Sequence, residues 1–202
     1  MIKYGPTGSG KSTCNDTFYS DIGLRPQDVV AVNVDDIVSE LDKEDRVKRG
    51  DMSRYWELRK EADVVAEDMT KRALKNRQSV ALEMTGNRVD AAWLENDLIQ
   101  PARDNGYKIV VVYPLVPRAA LRERVVDRAA KIGRSVNVND LESMIDNAAT
   151  NIQKFHKRVD QIVVYDNGEG KKCKEKVIQC SRTKCKRQRE PKVEFGVDLP
   201  LY

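Results

Sequence analysis

Nine residues near the start of the chain restrict what the rest can become: Gly5-Pro6-Thr7-Gly8-Ser9-Gly10-Lys11-Ser12-Thr13. They satisfy G-x-x-x-x-G-K-[S/T] and stand between a short apolar segment, Met1–Tyr4, and a segment of helical character. The glycines let the backbone curl until successive N–H groups point at one anion. The helix that follows adds its positive N-terminal end. Lys11 has the reach for β- and γ-phosphates, and the Ser12 hydroxyl suits a Mg²⁺ shell. The nine residues together form a candidate ATP-binding loop, with Ser12 as the metal ligand. In such a loop Lys11 is expected to face solvent when no nucleotide is present.

The remaining pattern fits the same fold. Apolar β-branched runs at Met1–Tyr4, Val29–Val34, Ser79–Met84, Tyr107–Pro114 and Gln161–Asp166 alternate with helical periodicity, as in a parallel sheet covered by helices. Ile109-Val110-Val111-Val112 has no polar break, which predicts burial on both faces. One helix presents Leu58, Ala62, Val65, Met69 and Ala73 on a single face. A second starts after Pro117 and carries Leu121, Val125 and Ala129. A third begins near Asn139, where Asn139 and Glu142 have capping-box spacing. The prediction is an α/β domain over residues 1–168 and a basic extension over 169–202.

Composition narrows the class. The 202 residues include 36 Lys/Arg and 32 Asp/Glu, a net charge of +4. Residues 169–192 hold ten Lys/Arg against three Asp/Glu, so the rest of the chain is mildly acidic. That segment is either a solvated extension or, over 171–192, a weak polyanion contact. It has no interleaved aromatics for base stacking. No apolar run has the ~18 residues needed to span a bilayer, and no signal-peptide pattern opens the chain. Cys14, Cys173, Cys180 and Cys185 are too unevenly placed for a disulfide scaffold. Reduced thiols and a cytoplasmic location are therefore expected. His156, the single histidine, sits among Lys154, Lys157 and Arg158 and reads as helix surface.

A phosphate loop serves GTPases, motors and kinases alike. The chain has no N-K-x-D base-reading motif and no strand ending in Asp-Glu, which leaves a small kinase. The second strand runs into Asp35-Asp36. There a carboxylate serves as base toward an attacking hydroxyl or holds Mg²⁺ through water; alternatively, either Asp caps the next helix. The third strand ends Glu83-Met84-Thr85-Gly86-Asn87-Arg88, a cluster of polar groups at the same sheet edge. Arg124 and Arg128 lie one helical turn apart, and their repulsion is relieved by an anion between them or by pairing with Asp127. With Arg134 they suit a lid over a transferring phosphoryl group.

These motifs, in this order, resemble the zeta toxin family of P-loop kinases. The matching parts are Gly5–Thr13, Asp35, Leu82-Glu83-Met84-Thr85, Glu123-Arg124 with Gly133-Arg134, Ala148-Ala149-Thr150-Asn151-Ile152 and Tyr165-Asp166-Asn167. The resemblance covers roughly residues 1–168. It implies a P-loop NTPase fold with a five-stranded parallel sheet and helices on both faces. It also implies ATP- and Mg²⁺-dependent phosphorylation of a hydroxyl on a small acceptor; bacterial members use UDP-N-acetylglucosamine. Lys11 would be the phosphate clamp, Asp35 the base, and Arg124 and Arg134 the γ-phosphate arginines, with Arg128 adding to ATP binding. Asp36, Glu83, Thr85 and Arg88 would line the acceptor site. An antitoxin-like partner is left undecided. The chain departs from the family at Val38, where a basic residue is common, and at Asn87, where Arg is common. A polynucleotide 5′-hydroxyl kinase and a nucleotide-binding module without turnover are the alternatives.

Overall fold

Strand β1 (Ile2–Tyr4) lies at the centre of a sheet ordered β2-β3-β1-β4-β5-β6 in a computed structural model of the chain. It describes residues 1–44, 46–47, 50–86, 94–132, 137–155, 158–168, 173 and 175–180. The other parallel strands are β2 (Val29–Val32), β3 (Ser79–Met84), β4 (Val110–Leu115) and β5 (Gln161–Asp166). Four fall within the segments expected from sequence, and β4 runs one residue past its own, to Leu115. A sixth strand, β6 (Glu175–Cys180), pairs antiparallel with β5. The sheet thus continues past the expected 168/169 boundary, because β5 leaves an edge whose N–H and C=O groups need partners.

The helices are α1 (Asn15–Asp21), α2 (Val34–Leu41), α3 (Met52–Lys75), α4 (Gln100–Asp104), α5 (Arg118–Ile132) and α6 (Val138–Phe155). A π-helical turn, Leu94–Ile99, leads into α4.

Strand alternation divides the core between the two faces. Val110 and Val112 of β4 join Val163 and Tyr165 of β5 against Phe18 of α1. Ile109, Val111 and Tyr113 face the other way, toward Ala66 and Leu74 of α3, Ala102 of α4 and Ala148 and Ile152 of α6. Both faces of β4 are therefore buried, as its unbroken apolar run predicts. Smaller clusters join α2 to α3 through Val38, Tyr55, Leu58 and Ala62, and α5 to α6 through Leu121, Val125, Leu141 and Ile145.

Two local expectations change. The Asn137 side chain, not that of Asn139, caps α6, since its Oδ1 accepts from Asn139 N at 2.8 Å. Cys14 and Cys173 are joined as a disulfide across 159 residues rather than held as reduced thiols. The fold carries residue 173 back beside α1, a proximity that sequence spacing does not reveal. Asn87, Arg88, Gly133, Arg134, His156 and Cys185 lie outside the described residues, as does most of 169–192 and all of 193–202.

Candidate active site

The loop after β1 closes on itself. Gly5 N donates to Met84 O of β3 at 3.2 Å, Ser9 N to Pro6 O at 3.2 Å, and Cys14 N to Gly10 O at 3.0 Å. Regular helix begins only at Asn15, so turns at residues 11–14 stand where a helix N-terminus was expected. The anion cradle is therefore made by loop N–H groups. Gly8 and Gly10 have φ of +84° and +89°, a region costly to side chains. At Gly10 a Cβ would also lie 2.2 Å from Asn167 Nδ2, which donates to Ser9 O at 2.8 Å. Asn167 follows β5, so the far strand braces the loop.

Lys11 does not face solvent as expected. It is 6% exposed, and its Nζ donates to Gly5 O at 2.7 Å and Pro6 O at 3.1 Å. Burial pulls its pKa down to about 8, against the opposing pull of the Glu83 and Asp35 carboxylates. Loop carbonyls thus occupy the ammonium where a phosphate oxygen would. Ser9 Oγ is fully buried beside Gly5 and has no hydrogen-bond partner among the described residues. Ser12 and Thr13 are exposed on the turn, and Pro6 is buried. Thr7 Oγ1 lies 3.9 Å from Met144 Sδ of α6. An orphaned donor, a curled backbone and a buried ammonium fit a polyphosphate.

The described residues contain no cluster of three or more metal-ligating His, Cys, Asp or Glu side chains. Mg²⁺ that keeps waters and phosphate oxygens asks for only one or two protein oxygens, and Ser12 meets that need.

At the end of β2, Asn33 caps α2: its Oδ1 accepts from Asp35 N at 3.0 Å. Neither aspartate is the cap, and the pair divides. Asp36 is exposed, whereas Asp35 enters a charged cluster. Tyr55 Oη of α3 donates to Asp35 Oδ1 at 2.8 Å, and Arg59 Nη1 donates to Tyr55 Oη at 3.0 Å. Arg59 Nη1 and Arg128 Nη2 stand 3.9 Å from Asp35 Oδ1 and Oδ2 respectively. Burial, then the Asp35 charge, pushes the Tyr55 phenol above its ordinary pKa.

Glu83, next to last in β3, is in register with Lys3 of β1. Lys3 Nζ is 3.6 Å from Glu83 Oε2 and donates to Asn15 Oδ1 at 3.0 Å. Glu83 Oε2 is buried without a hydrogen-bond partner among the described residues. Thr85 is half-buried just beyond it. Arg124 does not pair with Asp127: its Nη2 donates to Asn167 O at 2.7 Å and its Nη1 to Gly8 O at 3.4 Å. Arg124 and Arg128 thus have separate partners, carbonyls and Asp35, and need no shared anion to relieve their repulsion. Arg88 and Arg134 lie outside the described residues.

Phosphate loop, acidic strand end and arginine helix meet at the C-terminal edge of one parallel sheet, as ligand sites in open α/β sheets do. The zeta toxin family profile matches residues 4–175. The chain belongs to the zeta toxin family. No curated protein matches it in sequence. Among solved structures, it is similar to one from work on the PezAT chromosomal toxin–antitoxin system of Streptococcus pneumoniae. That match has a TM-score of 0.63 at 15% identity and covers 87% of this chain and 69% of the other. It is also similar to a candidate kinase from Chloroflexus aurantiacus, with a TM-score of 0.52 at 16% identity over 73% and 78% of the two chains. At those identities the structures show the shared fold, the P-loop α/β architecture.

Several residues of this zeta toxin family member were not singled out as site residues in the sequence. Asn167 stood out only as part of a strand end. Tyr55, Arg59 and Asp63 share an i, i+4, i+8 face of α3, a spacing that signals one polar stripe but not its target. Lys3 is hidden inside an apolar strand, and only the β1–β3 register reveals its acid.

Proposed function

We propose that the chain is an ATP- and Mg²⁺-dependent kinase that phosphorylates a hydroxyl of a small sugar-nucleotide or nucleotide-like acceptor, UDP-N-acetylglucosamine first among them. Family membership supports a P-loop phosphotransferase in general. The observation that carries the finer reading is the Asp35 carboxylate, held between α3 and Arg128 at the same sheet edge as the phosphate loop. A base opposite a phosphate cradle needs a hydroxyl between them.

The loop N–H groups and Ser9 Oγ take the phosphates. Lys11 Nζ exchanges the Gly5 and Pro6 carbonyls for β- and γ-oxygens. Ser12 would be the protein ligand of Mg²⁺, which would supply charge neutralisation on the bound triphosphate. Asp35 receives the acceptor proton. Glu83 and Thr85, with Asp36 and Arg88, line the acceptor side, while Arg124, Arg128 and Arg134 spread over the γ-phosphoryl from the lid. The kinase machinery is proposed to lie within residues 1–168, with β6 extending its sheet and weak polyanion contact through 171–192. An antitoxin-like protein partner and a cytoplasmic location are part of the same reading; no helix among the described residues is long and apolar enough to cross a membrane.

The test offers γ-labelled ATP together with UDP-N-acetylglucosamine, a 5′-hydroxyl oligonucleotide, a nucleoside and water. Label is expected on the sugar nucleotide, with the oligonucleotide second. Label on the oligonucleotide alone would move the protein to the polynucleotide kinases. Transfer to water alone would leave a slow ATPase, and ATP binding without turnover a binding module.

A further inference from the structure

We infer that Tyr55 and Arg59 of α3 are positioning residues that aim the Asp35 carboxylate at the acceptor hydroxyl, with Oδ2 as the proton-accepting oxygen. The inference rests on the kinase reading above and specifies how its base is held.

Four observations carry it. The Tyr55 hydroxyl donates to Asp35 Oδ1 at 2.8 Å, which fixes the carboxylate plane and turns Oδ2 toward Arg128 on the lid helix. Arg59 donates to the same hydroxyl at 3.0 Å, polarising it so that its own donation strengthens. Helix α2 supplies no cation: Val38, one turn after Asp35, is buried against Tyr55 and Leu58. Among the described residues, Arg59 of α3 is the cation on the Oδ1 side of the base, as Arg128 is on the Oδ2 side. Tyr55 is itself held in the α2–α3 core, so the hydroxyl is delivered from a fixed ring.

In the step served, the acceptor O–H proton passes to Asp35 Oδ2 as the acceptor oxygen bonds the γ-phosphorus. The bond from that phosphorus to the β–γ bridging oxygen breaks, and ADP leaves with its electron pair. Asp35 then releases the proton to solvent. Among the described residues, those facing Asp35 include Tyr55 and Arg59, with its partner Asp63, from α3, Arg128 from α5 and Lys11 from the loop, while Asp36, next to it on α2, is exposed. Tyr55, Arg59, Arg128 and Lys11 favour the carboxylate; Asp63 and Asp36 oppose it.

The test compares Tyr55→Phe, Arg59→Gln and Arg59→Lys with wild type in two assays. One follows the Asp35 carboxyl by carbon-13 NMR titration of the nucleotide-free protein, assigned by Asp35→Asn, and needs no acceptor. The other measures single-turnover transfer from γ-labelled ATP against pH, using UDP-N-acetylglucosamine or whichever panel member takes label, water included. Tyr55→Phe and Arg59→Gln are expected to move the Asp35 titration and the acid limb of the rate to higher pH. They should slow transfer by roughly 10- to 100-fold at unchanged ATP affinity, and Arg59→Lys should recover part of both. In an Asp35→Asn background neither change should add a loss beyond about twofold. Should Arg59→Gln fail to fold, Tyr55→Phe, which keeps the packed ring, carries the test. An unmoved titration and rate in Tyr55→Phe, with Asp35→Asn slow, would overturn this inference alone. Asp35→Asn as fast as wild type would overturn the kinase reading beneath it.

Discussion

Lys11 shows how one residue's chemistry was legible while its environment was not. The motif identifies the ammonium as a phosphate ligand, yet the structure buries it against its own loop carbonyls. Its pKa is lowered to about 8 from an ordinary 10.5. Between those values the folded chain binds fewer protons at this site than the unfolded one, so Lys11 makes stability rise with pH across that window. Wild type should therefore gain melting temperature relative to Lys11→Met between about pH 8 and pH 10, as read by circular dichroism; parallel curves would contradict the buried ammonium. Phosphate anions restore the charge. Above about pH 8, ATP binding should take up a proton and weaken as pH rises further. Calorimetry in two buffers of different protonation heat reads that uptake directly. At Gly10 an alanine meets both a positive φ and the Asn167 amide. Gly10→Ala should lower nucleotide affinity at least tenfold and cost about 1–2 kcal/mol of stability. An unchanged Kd would show that Asn167 yields without disturbing the cradle.

Among the elements, strands were read more faithfully than caps. Ser79–Met84 and Gln161–Asp166 coincide with β3 and β5 because an apolar β-branched run has one stable use in a covered sheet. Caps depend on a single side chain choosing among neighbouring N–H groups. Asn33 took that place from Asp35 and Asp36, and Asn137 took it from Asn139. The α2 cap has a functional consequence, since the same bond that closes the helix fixes the backbone of Asp35. Asn33→Ala should cost about 1 kcal/mol in denaturant unfolding and slow transfer by loosening Asp35. Full activity with the stability loss would mean that Tyr55 alone holds the carboxylate. The pairing of Asp35 with Tyr55 and Arg59 was not legible, because it joins two helices across a buried apolar seam.

At the scale of the molecule, alternation of strands and helices was enough to fix a parallel sheet, while long-range closure was not. Nothing local to residues 169–180 announces that they rejoin the domain, yet Cys173 is tied to Cys14 and β6 pairs along β5. The disulfide closes a long loop, and constraint of that kind stabilises by about 2–4 kcal/mol. Removing residues 169–202 should therefore lower the melting temperature by several degrees, and reduction of the intact chain should reproduce part of the drop. A truncated chain as stable as the whole would make 169–202 a detached extension.

The central claim is that a carboxylate at the end of β2 takes a proton from a hydroxyl held against the phosphate loop. Single-turnover transfer from γ-labelled ATP by Asp35→Asn, with ATP affinity measured on the same protein, tests it most directly. The account predicts unchanged affinity and a rate lower by roughly 10²–10⁴, with Asp36→Asn much closer to wild type because Asp36, though on the acceptor side, does not receive the proton. An Asp35→Asn protein that transfers label at the wild-type rate would contradict it.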